Sequence, residues 1–145
     1  MIAKVIKKDD EYYSIQDLTD DLKKSSKIEE SGAIYTFEGF VRGKEDDLEV
    51  SKLTLTTPNK EKSEEEIKKI IEETKTKFNV FEINVVHYIG EFQTGDSLFL
   101  VAVLGNHRHE TYNALSDIVE RVKSEVGFEK EEISNKGSKF IMFGG

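Results

Sequence analysis

The run SLFLVAVLG at 97–105 is the most apolar in the chain, and it stops where an amphipathic segment begins. An uncharged run of this kind, ended by glycine, reads as the most central strand of a sheet. The segment after it, NHRHETYNALSDIVERVKSEVGFEK at 106–130, places Tyr112, Leu115, Ile118, Val119, Val122 and Val126 at helical spacing. That repeat predicts one long helix with a single apolar stripe, and Gly127 suits the position just past its end. The other elements have to be arranged around this strand and helix.

Residues 2–6, IAKVI, alternate as a short half-buried strand does. Ser14 can cap a helix through SIQDLTDDLKK, in which Ile15, Leu18 and Leu22 share a face. The polar run 23–30 reads as a solvated helix end and loop. GAIYTFEGFVRG at 32–43 sets Ala33, Tyr35 and Phe37 against Ile34, Thr36 and Glu38, which predicts a strand. Gly39 within it marks a bulge or a close backbone approach. LEVSKLTL at 48–55 alternates again and is expected to pair with that strand as a hairpin, with TTPNKEK as a loop after it. Ser63 and Glu66 read as a capping box opening a second helix, with Ile67, Ile70, Ile71 and Phe78 on its buried stripe. Glu64–Lys68, Glu65–Lys69 and Glu73–Lys77 fall on its solvent side. VFEINVVHYI at 80–89 is a strand, and His87 on its apolar face reads as a packed core histidine. Residues 90–96 read as a connection, 128–135 as irregular or a short strand, and KFIMF at 139–143 as a last strand before Gly144-Gly145. The order predicts a single α+β domain over 1–145, with antiparallel β hairpins packed on helices.

Composition narrows the function. The 145-residue chain carries a net charge of −8 and no cysteine. Disulfides, thiol catalysis and cysteine-ligated metal sites are therefore removed. The acidic balance argues against broad nucleic-acid binding, which needs a basic face. No run approaches the ~18 apolar residues of a membrane span, and the first residues lack the apolar core of a signal peptide. A soluble, cytoplasmic protein is expected. There is no P-loop, GxGxxG or nucleophile elbow. His107-x-His109 with Glu110 lacks the further ligands zinc needs, so neither metal nor cofactor is assigned. What remains is cationic: Arg42, His107, Arg108, Lys123 and Lys130. Arginine grips phosphate bidentately, and the helix N-terminus at His107-Arg108 adds N–H donors and a favourable dipole. A lysine works as a base only where burial or neighbouring cations lower its pKa. On residues alone, an enzyme and a non-catalytic anion-binding or assembly subunit both remain open.

Four segments together carry a resemblance: GAIYTFEGFVRG at 32–43, VVHYIGEFQTGD at 85–96, NHRHETYNAL at 106–115 and VKSEVGFEKEE at 122–132. In order and spacing the chain resembles the catalytic (large) subunit of molybdopterin synthase, from about Gly32 to the last strand. The resemblance implies an α/β-hammerhead-like fold and transfer of sulfur to cyclic pyranopterin monophosphate, forming the dithiolene of molybdopterin. The sulfur donor it implies is a C-terminal thiocarboxylate on a small ubiquitin-like carrier subunit ending in Gly-Gly. It also implies a central homodimer within a heterotetramer. By the same resemblance Lys123 and Lys130 are catalytic, while Phe40, Val41, Arg42, His107, Arg108, Glu131 and Glu132 contact substrate. The family's proline-aromatic-tryptophan-lysine run is here Gly127-Phe128-Glu129-Lys130, and Thr56-Thr57-Pro58 stands where it tends to carry Glu and Tyr.

Helix geometry adds a constraint. Arg108 and Lys123 are separated by fifteen positions, about 22 Å along a helix at 1.5 Å per residue. One small pterin does not reach both, so the expected site is composite: His107-Arg108 of one protomer faces Lys123 and Lys130 of its partner.

Overall fold

The structure, a computed structural model, describes residues 1–142. Phe143, expected in the last strand, and the Gly144-Gly145 end lie outside the described residues. The elements in order are β1 (Ala3–Lys7), α1 (Ile15–Leu22), a 3-10 turn (Ile28–Glu30), β2 (Ala33–Phe40), β3 (Lys44–Glu45), β4 (Leu48–Thr56), α2 (Lys60–Phe78), β5 (Glu82–Phe92), β6 (Ser97–Gly105), α3 (Arg108–Glu125), β7 (Glu129–Ser134) and β8 (Gly137–Met142). The fold is α+β, as expected. Its strands run β2-β6-β5-β4-β7-β8, with β1 beside β5 and β3 beside β4. All pairings are antiparallel except β1 on β5.

Strand β6 lies between β2 and β5, and its residues from 99 to 105 are all buried, which makes the most apolar run an inner strand. The expected pairing of β2 with β4 is wrong. β2 pairs with β6, Ala33 opposite Gly105 and Glu38 opposite Leu100, whereas β4 pairs with β5 and β7. Both strands alternate, and alternation states which residues share a face without naming the neighbouring strand. The bulge anticipated at Gly39 is present, as a register shift between Gly39 and Phe40.

One edge of β5 serves two partners. Residues 85–89 pair with β1 and Gly90 to Phe92 pair with β4. Gly90 sits at the handover with φ +122°, a conformation that L side chains rarely adopt. The strand thus runs on to Phe92, through residues expected to form a loop. Beyond this handover, β4, β7 and β8 form a second half of the sheet.

Helices α2 and α3 pack on each other, and Ile67, Ile70, Ile71, Ile118, Val119 and Val122 on them are buried. Thr74 Oγ1 donates to Asp117 Oδ2 at 3.0 Å across that seam. In α1, Ser14 accepts from the Asp17 N–H while Asp17 accepts from the Ser14 N–H, a reciprocal cap, and Leu18 and Leu22 are buried. Three local expectations are corrected. Helix α2 begins a turn early, at Lys60, capped by Asn59; Ser63 is buried inside it and meets Thr57 Oγ1 at 2.7 Å instead of capping. Glu64 does not lie on a wet face, because its Oε2 accepts the Val5 N–H at 2.9 Å and so closes the outer edge of β1. Gly127 does not terminate α3 in a left-handed turn, since the chain leaves through Val126 in extended conformation. The buried stripe of α3 is also shifted, with Thr111 and Ala114 inside and Tyr112 half exposed against Tyr35.

Candidate active site

Where the two halves of the sheet diverge, they leave a cavity of about 620 Å³, within the range of small-molecule sites. The end of β2 and the arm after it supply Phe40, Val41 and Arg42; the last turn of α3 supplies Lys123; β7 supplies Lys130 and Glu132. Its inner wall is apolar and aromatic, built from Leu53, Leu55, Phe99, Phe128 and the ring of His87.

The arm that carries Arg42 is held by the turn between β5 and β6. Val41 is buried, its N–H donates to the Asp96 carbonyl at 2.9 Å, and its own carbonyl accepts from the Gly95 N–H at 2.9 Å. The turn in turn is pinned by the Asp96 carboxylate. Asp96 Oδ2 accepts the Gln93 N–H at 2.7 Å and pairs with Lys8 Nζ at 2.6 Å. The Gln93 N–H and then Lys8 hold that carboxyl below the usual aspartate pKa. Arg42 itself pairs with Glu45 at 3.5 Å, and its side chain is 71% exposed. A screened contact of that kind is weak, so the guanidinium can turn to a ligand. Phe40 stands exposed at the rim.

Strand alternation decides which residues of β7 face the cavity. Lys130 and Glu132 do, 4.0 Å apart as an ion pair and both about four-fifths buried. Burial holds the Lys130 pKa below its usual value, Glu132 opposes this, and Lys123 and Arg42 add to the lowering. Glu129 and Glu131 point the other way, and Glu131 accepts from Ser138 Oγ at 2.9 Å on the far face. Of the expected carboxylates, Glu132 is therefore brought to the site and Glu131 is not. Glu129, adjacent to Lys130 in sequence, places its charge away from it.

His107 and Arg108 are at the opposite end of α3 from Lys123, outside the cavity of their own protomer. His107 is the N-cap residue, and its carbonyl accepts from Thr111 Oγ1 at 2.6 Å. Both side chains are exposed. Among the described residues, no cluster of three His, Asp or Glu side chains could hold a metal. Three residues of the site were missed or misread. His87, read as core, is buried and lines the cavity; its place on the apolar face was the only signal. Lys8 and Asp96 are far apart in sequence and carried none.

The family model described as MoaE protein matches residues 9–125. The chain belongs to the MoaE family. Curated MoaE-type relatives include the molybdopterin synthase catalytic subunit of Haemophilus influenzae, 34% identical over 76% of this chain and 73% of that protein. That of Thermoplasma volcanium is 32% identical over 75% and 79%. A solved molybdopterin synthase from Staphylococcus aureus superposes with a TM-score of 0.80 at 25% identity, covering 95% of each chain. A complex of subunits 1 and 2 of the molybdopterin-converting factor from Helicobacter pylori shares the fold at a TM-score of 0.68 and 21% identity.

Proposed function

We propose that this MoaE-family chain is the catalytic subunit of a molybdopterin synthase, transferring sulfur from a carrier-protein thiocarboxylate to cyclic pyranopterin monophosphate. The observation that carries the reading is the meeting of Lys123 and Lys130 in one aromatic-walled cavity, although they come from different elements. The carrier is a small ubiquitin-like subunit ending in Gly-Gly, whose extended tail presents the thiocarboxylate to the cavity. Its sulfur bonds to a carbon of the substrate as a carbon–oxygen bond at that carbon breaks and the oxygen leaves protonated, and water then cleaves the acyl–sulfur bond. The carrier leaves as a carboxylate and the sulfur stays on the pterin. Each step moves a proton and builds negative charge on the acyl oxygen, the work suited to Lys123 and a desolvated Lys130. Glu132 orients Lys130, and Arg42 binds the phosphate beside Phe40 and Val41.

Charge balance supports a shared site. Within one protomer the cavity wall holds the cations Arg42, Lys123 and Lys130 but also the carboxylates Glu38, Glu45 and Glu132. A phosphate gains net attraction when His107 and Arg108 of a partner protomer join them. The homodimer of this reading is the form that supplies them, and its setting is the cytoplasm. The test is single-turnover sulfur transfer from a thiocarboxylated carrier. Lys123→Ala should slow it by about 10²–10⁴-fold, and normal turnover in that variant would refute the assignment.

A further inference from the structure

His87 is a buried titratable group in the cavity wall that the proposed chemistry leaves unused. It is 6% exposed, it stacks on Phe128 at 4.2 Å between ring centroids, and Phe99 lies against it at 4.9 Å. These contacts fix the plane of the ring. Its Nδ1 lies 2.9 Å from the Tyr88 carbonyl oxygen. A carbonyl can only accept, so Nδ1 carries the hydrogen and Nε2 of the neutral ring carries a lone pair. Burial, and secondarily the charge of Lys123, hold the His87 pKa down to about 4, so the ring is neutral at physiological pH.

The direction of that lone pair follows from the accounting of polar atoms. Among the described residues, no buried side-chain nitrogen or oxygen lacks a hydrogen-bond partner. His87 makes its hydrogen bond through Nδ1. Nε2 therefore lies on accessible surface, and the surface His87 reaches is the cavity. An acceptor presented from an otherwise apolar inner wall discriminates by charge. It repels a phosphate oxygen and favours an N–H or O–H.

We propose that His87 Nε2 is a substrate-recognition acceptor for an N–H or O–H of the bound heterocycle, so that the fused rings enter the cavity first and the phosphate stays at the mouth beside Arg42. This rests on the function proposed above and adds the orientation of the substrate within it. His87 is a binding residue here, distinct from the lysines that move protons.

Selective ¹⁵N labelling tests this on the wild-type chain, which has only three histidines. The expected result is that the His87 Nε2 resonance shifts on adding cyclic pyranopterin monophosphate and stays in place on adding inorganic phosphate, to which His107 responds instead. In calorimetry, His87→Phe keeps the ring but not the acceptor, and should weaken precursor binding about five- to tenfold. His87→Gln, which can offer an amide oxygen, should lose less, and neither variant should alter phosphate binding. An unmoved Nε2 in a protein that binds precursor, or equal weakening of precursor and phosphate by His87→Phe, would overturn the orientation alone. A wild-type protein that binds no precursor would instead remove the proposed function, and this inference with it.

Discussion

Mixing two inactive variants gives the sharpest test of the shared site. Arg108 opens α3 and Lys123 lies in its last turn, about 22 Å away at 1.5 Å per residue. The cavity holding Lys123 contains neither His107 nor Arg108. If one protomer supplies Arg108 and its partner Lys123, then Arg108→Ala and Lys123→Ala each damage both sites of a homodimer. In a mixed dimer the two lesions fall together in one site and leave the other with both wild-type residues. Random reassortment makes half the dimers mixed, and half of their sites intact, so about a quarter of wild-type activity should return. The assay is carrier-dependent sulfur transfer after the two variants are unfolded and refolded together, with each refolded alone as the baseline. Recovery no greater than the average of the two single variants would refute the shared site. Each protomer would then have to complete its own site, contrary to the helix length.

Three further predictions follow from the geometry. His87 titrates at about 4 when folded against an ordinary 6.5, so the unfolded chain binds its proton first as pH falls. The folded state should therefore lose up to about 3 kcal/mol between pH 6.5 and 4, and denaturant melts of His87→Phe should show a flatter profile there. Asp96→Asn removes the ion pair to Lys8 and weakens the acceptor for Gln93; it should cost at most about 1 kcal/mol of stability yet raise the KM for precursor several-fold through the Arg42 arm. An unchanged KM would separate that turn from the site. Gly105→Ala would drive a methyl group into Thr111, whose hydroxyl holds the His107 carbonyl. It should cost about 1–3 kcal/mol by thermal melt and weaken phosphate binding by displacing the N-terminus of α3.

Much of the site was legible in the chain because basic residues stand out in an acidic protein. The cavity gathers Arg42, Lys123 and Lys130, and His107 and Arg108 of the same chain do not line it. Glu131 was misplaced because its role was carried over by resemblance, whereas its face is set by strand alternation from Lys130. The Lys8–Asp96 pin could not be read at all. It joins two short turns whose separation in sequence is 88 residues, and a lone lysine and a lone aspartate carry no local pattern.

Local periodicity determined where most helices and strands lie, because burying one face imposes a repeat of 3.6 or 2 on the sequence that forms it. The sequence also removed thiol catalysis and cysteine-ligated metal sites, since the chain has no cysteine. Only the tertiary structure decided partnership. It put β2 beside β6 instead of β4, let Gly90 hand β5 from β1 to β4, and opened the cavity between the two halves of the sheet. It also turned His87 from a core residue into part of a wall. Pairing, and the side of a residue that meets a cavity, depend on contacts between segments distant in the chain, and no repeat within either segment records them.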